Sequence, residues 1–146
     1  MRAVVQRVRE ARVEVAGSCV GAIGPGMLIL LGIHRDDTPV QAKDLAKRLL
    51  SLRIFENPAG GADLALNEIT GAEALCVSQF TLWGETRKGR KPSWSRAAPR
   101  ENAEPLYREF LAALRGPGLA VATGKFGAEM DVHLVNQGPM TLLVES

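Results

Sequence analysis

Two cysteines, two histidines and a single tyrosine are all that this chain of 146 residues holds of those types. Cys19 and Cys76 form no C-x-x-C pattern, each sits on strand-like sequence, and both read as buried free thiols. A chain so poor in cysteine suits a reducing cytosol, so a cytoplasmic protein is expected. His34 and His133 lie far apart, with no ligand-forming residue at useful spacing, so no metal is expected. No glycine-rich phosphate loop follows a strand, which disfavours a dinucleotide fold, and no cofactor is expected. Long hydrophobic runs are missing too. The longest, Met27 to Leu31 with Gly32 and Ile33, is far short of the roughly 20 residues a membrane helix needs, so no membrane partner is expected. The opening residues Met1 to Arg7 contain no apolar core or cleavage-like site, so no signal peptide is expected. Nor is there a strong charge of one sign. A net charge of +2 and a pI near 8.7 permit an anionic partner without demanding one. Without repeats or low-complexity linkers, residues 1–146 are expected to form one domain.

What is present is core material, 46% hydrophobic residues against 23% charged ones. Ala3–Val8 and Ala11–Val15 read as two strands, the second with clean alternation through Arg12-Val13-Glu14-Val15. A turn at Gly17-Ser18 leads to a third strand around Cys19–Ile23. Met27–Ile33 is continuously apolar, as in a strand covered on both faces. Arg53–Phe55 is a short strand candidate, Asp63–Thr70 is ambiguous, and Ala74–Leu82 reads as a buried strand. Strands are also expected at Leu119–Ala122, Met130–Val135 and Thr141–Glu145, the last two joined by a Gly138-Pro139 turn.

Two helices stand out. Thr38 is a candidate N-cap with Pro39 at the first helical position, followed by Ala42, Leu45, Ala46, Leu49 and Leu52 at helical spacing. Ala103, Leu106, Tyr107, Phe110, Leu111 and Leu114 trace a second stripe, ended by Gly116-Pro117-Gly118. Pro105 fits if that helix begins near Asn102. Strands outnumber helices and arrive in runs. The expected class is therefore α+β: antiparallel or mixed sheets curled into a barrel-like core, with two main helices packed outside.

Three stretches could carry chemistry. In Asn136-Gln137-Gly138-Pro139-Met140-Thr141, glycine bares its peptide and proline cannot donate to a ladder, so the segment is either a plain turn or main chain offered to a ligand. In Ser78-Gln79-Phe80-Thr81-Leu82-Trp83-Gly84, hydroxyls, an amide and aromatic rings cluster where a buried strand ends. These residues either satisfy backbone groups and fill the core, or form a site. Ser78 as a nucleophile would need a base and an oxyanion site, and no Gly-x-Ser-x-Gly elbow surrounds it. Between Thr86 and Arg96, five cations (Arg87, Lys88, Arg90, Lys91, Arg96) lie with Trp94, and Trp83 stands just before them. Such a run is either a solvated surface or a surface for nucleic acid, where cations neutralise phosphates and an indole can stack.

Taken together, Ser78-Gln79-Phe80-Thr81 and Asn136-x-Gly138-Pro139-x-Thr141 resemble the D-aminoacyl-tRNA deacylase family. The resemblance runs along the whole chain and includes Gln6-Arg7-Val8, Arg53-Ile54-Phe55, the Arg90–Ser93 region and Thr123–Met130. It implies a cytosolic homodimer that hydrolyses the ester between a D-amino acid and the terminal adenosine of tRNA, and that also accepts the achiral glycyl ester, including glycine mischarged on tRNA(Ala). It implies that Ser78, Gln79, Phe80 and Thr81 line the catalytic pocket. It further implies that Gly138-Pro139 has a cis peptide reaching into the other subunit's pocket, with Arg7 holding that turn. Gln137, Met140 and Trp83 depart from the commoner residues of the family pattern.

From this the sequence suggests a mechanism. Main-chain atoms at Gly138-Pro139 exclude an L side chain, and Asn136 belongs to the same turn motif. Backbone N–H groups of Gln79 and Phe80 are candidate oxyanion donors, and Thr81 is the strongest side-chain candidate for a nucleophile. The family resemblance points instead to the 2′-hydroxyl of the terminal ribose. Phe80 is expected to stack on the terminal adenine, with Phe126 and Met130 completing the wall or simply packing in the core. The rivals are a serine esterase using Ser78 and a non-catalytic nucleic-acid-binding module.

Overall fold

Arg9 and Glu10 interrupt the apolar pattern of the first fifteen residues, yet Arg2–Val15 is one uninterrupted strand, β1, where two strands were expected. The charged pair is exposed at the point where β1 changes neighbours. Its first half pairs with one strand (Arg2–Val8) and its second half with another (Ala11–Val15). The computed structural model describes residues 1–61, 63–87, 89–116 and 118–146. After β1 come β2 (Ser18–Ile23), β3 (Gly26–Gly32), α1 (Pro39–Leu50), β4 (Arg53–Phe55), β5 (Leu64–Ala65), β6 (Glu73–Ser78), α2 (Arg100–Arg115), β7 (Ala120–Thr123) and β8 (Asp131–Glu145).

The main sheet runs β2-β1-β3-β6-β7, with β8 paired along the other edge of β1. β1 is antiparallel to β2, β3 and β8, whereas β3–β6 and β6–β7 are parallel. The sheet is thus mixed, and it curls until β2 approaches β7. A Cβ on Gly21 would collide with the Thr123 carbonyl oxygen, so only glycine allows the two edges to come this close. β4 and β5 form a separate two-stranded antiparallel sheet. The α+β class with a barrel-like core and two helices is what the sequence led us to expect.

Alternation divides the apolar residues between two cores. Val8, Val13, Leu28, Leu75 and Val77 fill the inside of the curl. Val5, Ile29, Leu31 and Cys76 face the other way, onto Leu45, Leu49, Phe110 and Leu114 of the helices. β3 is buried on both faces, as its unbroken apolar run implied. α1 begins as its sequence suggested. The Thr38 hydroxyl accepts from the Val40 N–H at 3.3 Å, and the Gln41 side chain accepts from the Thr38 N–H at 2.8 Å. α2 starts at Arg100, two residues earlier than expected, after a Pro99 cap. Pro105 therefore lies in its second turn, where it cannot donate to the Glu101 carbonyl. The helix reaches Arg115 with Gly116 as its cap, and Pro117 of the expected stop signal lies outside the described residues.

Three further expectations are corrected. β6 ends at Ser78, not Leu82, and Phe80–Trp83 forms a single turn of 3₁₀ helix. The Met130–Val135 and Thr141–Glu145 strands are one strand, β8, with Gly138-Pro139 inside it rather than in a turn between two strands. Cys76 is buried as expected, but Cys19 is exposed on β2, and both are free. Among the described residues no helix is long and apolar enough to cross a membrane.

Candidate active site

Where β6 leaves the core, its last residue and the following turn open a cavity of about 470 Å³. Ser78, Gln79, Phe80, Phe126 and Met130 all line it, so five residues singled out in the sequence come together from two distant segments. Phe80 is 55% exposed, too open for a core residue, and its ring stands edge-on to Trp94 at 5.4 Å. Phe126 leans on Tyr107, with ring centroids 5.4 Å apart. Tyr107 is fixed in turn by donating its hydroxyl to the Cys76 carbonyl at 2.8 Å. Met130 packs so closely over Gly124 that a Cβ there would lie 2.6 Å from its sulfur.

The polar groups are less free than their types suggest. The Gln79 N–H donates to the Leu31 carbonyl at 2.7 Å, which removes it as an oxyanion donor and corrects that expectation. Phe80, at the start of the 3₁₀ turn, is the candidate donor that remains. Thr81 is exposed and is not among the cavity-lining residues; its hydroxyl accepts a short hydrogen bond from the Gln79 side chain. Neither histidine lines the cavity. His34 packs against Trp83 with ring centroids 4.5 Å apart, and His133 lies 3.7 Å from Glu14. Ser78 therefore has no imidazole to activate it. Among the described residues no group of three or more His, Cys, Asp or Glu side chains could hold a metal. Two charged residues that sequence reasoning missed, Arg100 and Glu129, also line the cavity. A charged residue at a helix start or in a turn carries no mark in the sequence that it will face a pocket.

Arg7, Asn136, Gly138 and Pro139 form a second cluster, none of them lining the cavity. Gln6 pairs with Thr141 and Val8 with Asn136, so residues 137–140 bulge out opposite Arg7 alone. The Arg7 side chain passes under the bulge and is only 3% exposed. Its guanidinium donates to the carbonyls of Ile54 (2.6 Å), Gln137 (3.3 Å) and Gly138 (3.3 Å) and pairs with Glu56 at 3.3 Å. The Asn136 amide satisfies both its ends when its oxygen accepts from the Gly138 N–H and its nitrogen donates to the Met140 carbonyl, each at 3.2 Å. Gly138 and Pro139 are themselves exposed, and the peptide between them is cis. The neighbouring Leu134, Val135 and Leu143 of β8 are exposed apolar residues.

The basic segment is a loop pinned at its neck. Glu85 and Ser93 exchange backbone hydrogen bonds of 2.8 and 3.0 Å. Arg87, Arg90, Lys91 and Arg96 are exposed, while Lys88 lies outside the described residues. At the base of the loop, buried Trp83 is contacted by the guanidiniums of Arg2 and Arg96, 4.2 and 5.1 Å from its ring centroid.

With this geometry in place, comparison with known proteins is direct. The family model described as D-Tyr-tRNA(Tyr) deacylase matches residues 4–145. A D-aminoacyl-tRNA deacylase of Desulfatibacillum aliphaticivorans is 57% identical over 146 residues, covering 100% of this chain and 99% of that protein. One from Thermosipho africanus (strain TCF52B) is 52% identical, covering 100% and 97%. Among solved structures, the c-Myc DNA Unwinding Element Binding Protein has a TM-score of 0.91 at 44% identity, over 100% of this chain and 99% of that one. A probable eukaryotic D-amino acid tRNA deacylase has a TM-score of 0.83 at 20% identity, covering 99% and 98%, a likeness of fold alone. The chain belongs to the D-aminoacyl-tRNA deacylase family.

Proposed function

We propose that this chain, by its family a hydrolase of the aminoacyl-tRNA ester bond, removes D-amino acids and glycine from tRNA in the cytoplasm while sparing L-aminoacyl esters. It works as a homodimer in which the Gly138-Pro139 bulge of one subunit closes the cavity of the other. The observation that carries this reading is the bulge itself. A bare, exposed main-chain segment is held from beneath by a buried arginine and lies apart from its own chain's cavity. The exposed apolar side chains of β8 beside it suit a surface covered by a second copy.

Main-chain atoms suit the task of rejection. D side chains vary in size, so filling a pocket around them is less economical than excluding the L side chain. A hydrogen at that position clears the bulge, whereas an L β-carbon meets it. Thousandfold rejection needs about 4 kcal/mol, within reach of a clash against a segment that cannot yield. The four contacts of Arg7 supply that stiffness.

Hydrolysis then needs an oriented water, a donor for the developing oxyanion and a base. The Phe80 N–H is the donor candidate. Neither histidine lines the cavity that holds Ser78, which supports assigning activation to the 2′-hydroxyl of the substrate's own ribose. Phe80, Phe126 and Met130 form the wall on which the terminal adenine stacks, and the basic loop meets the acceptor stem. The test is release of D-tyrosine, and of glycine from tRNA(Ala), from charged tRNA with the L-tyrosyl ester as control. Tight tRNA binding without release would favour a binding module, and labelling of Ser78 by an activity probe would favour a serine esterase.

A further inference from the structure

The cavity wall is apolar apart from a few groups, and it holds one cation among its described lining residues, Arg100. Arg100 is the first residue of α2, and its side chain lines the cavity next to Gly127. Gly127 has a φ of 73°, a backbone conformation that favours glycine. A Cβ there would sit 3.5 Å from the guanidinium carbon. The Arg100 charge is only loosely engaged. Its Nε is 3.7 Å from Glu104, while the other oxygen of that carboxylate takes a 2.6 Å hydrogen bond from Arg108. Glu104 is thus compensated by Arg108, and the Arg100 side chain remains 70% exposed. Glu129 also lines the cavity, so opposite charges share an apolar mouth.

We propose that Arg100 is a specificity-determining residue that receives the phosphate on the 5′ side of the terminal adenosine. The inference rests on the terminal-adenosine reading above. A nucleoside stacked on the aromatic wall must pass its 5′ linkage out through the mouth, and a guanidinium is matched in charge and fork geometry to phosphate oxygens. Arg100 would thereby favour a nucleotide end over a small ester of the same acyl group.

The test uses a D-tyrosyl minihelix of the tRNA acceptor end, carrying either the natural phosphodiester or a neutral methylphosphonate immediately 5′ of the terminal adenosine. Both are assayed at one fixed ionic strength with the wild-type protein, Arg100→Gln and Arg100→Lys. The wild type should lose about tenfold in kcat/KM on the methylphosphonate, mostly through KM, as expected for one charged hydrogen-bonded contact. Arg100→Gln should lose about tenfold on the natural substrate and then be indifferent to the linkage, because the two changes remove the same interaction. Arg100→Lys should keep part of the discrimination. Multiplying losses in Arg100→Gln, or a wild-type enzyme blind to the linkage, would overturn the proposal. A wild-type enzyme inactive on both minihelices would instead strike at the deacylase reading itself, and this inference would fall with it.

Discussion

The guanidinium of Arg7 donates to the Gly138 carbonyl at 3.3 Å across a strand pair in which four bulged residues face a single partner. The same side chain reaches the Ile54 carbonyl on the far side, so it ties the bulge of β8 to strand β4. Removing it would leave the buried Ile54 carbonyl, and the part-buried carbonyls of Gln137 and Gly138, without this donor. Arg7→Ala should therefore cost stability, about 1–3 kcal/mol as for a buried acceptor left without its donor. A denaturant titration of both proteins checks this.

The bulge shows how far the sequence could be read. Asn136-x-Gly138-Pro139 was visible as a special segment, but proline inside an apparent strand argued for a turn and a break. The structure keeps the strand intact because β1 runs past the bulge and resumes pairing on both sides. The unbroken apolar run of β3 and the helically spaced stripe of α2 were read correctly, since burial is written directly into residue type. The end of β6 was misplaced because Phe80, Leu82 and Trp83 are as apolar as strand residues, while the chain turns into a 3₁₀ helix there. The role of the Gln79 N–H was also invisible, because it depends on where Leu31 of β3 lies.

Phe80 should act through its exposed ring rather than through packing. Phe80→Ala should raise KM about tenfold or more, in line with about 1–3 kcal/mol for a stacked base. Because more than half of the ring is in solvent, the thermal midpoint should barely move. Steady-state kinetics alongside a melting curve separate the two effects. A large drop in the midpoint would make Phe80 a packing residue.

Side-chain nucleophiles should prove dispensable. Ser78→Ala and Thr81→Ala should keep substantial deacylase activity, while a substrate ending in 2′-deoxyadenosine should not be hydrolysed. Single-turnover rates on the two substrates decide this. A dead Thr81→Ala protein with normal tRNA binding would restore the protein-nucleophile reading.

The two thiols should behave oppositely. Cys19 is exposed, whereas burial pushes the Cys76 thiol up to about 12 from an ordinary value of 9.0. A thiol reagent at pH 8 should therefore modify one cysteine in the native protein and two in denaturant. Burial also pushes the Tyr107 hydroxyl upward. For both groups the unfolded chain gives up its proton at a lower pH than the native one. Their contribution to stability is thus complete below about pH 9 and is lost as pH rises toward 12. Urea midpoints that fall between pH 8.5 and 11 would match this.

The basic loop should make tRNA affinity salt-dependent. Replacing Arg90 and Lys91 with glutamine should reduce the slope of log affinity against log salt by about one for each phosphate that is no longer neutralised. An unchanged slope would leave the loop as ordinary surface.

The most direct test of the account compares hydrolysis of D-tyrosyl- and L-tyrosyl-tRNA by the wild-type protein and by Arg7→Lys. That variant keeps the charge but cannot bridge the Ile54, Gln137 and Gly138 carbonyls together. The wild type should prefer the D ester by about a thousandfold or more, and Arg7→Lys should erode that ratio by speeding hydrolysis of the L ester. Equal rates on the two esters in the wild type, or an undiminished preference in Arg7→Lys, would contradict the claim that a bulge held by Arg7 excludes the L side chain.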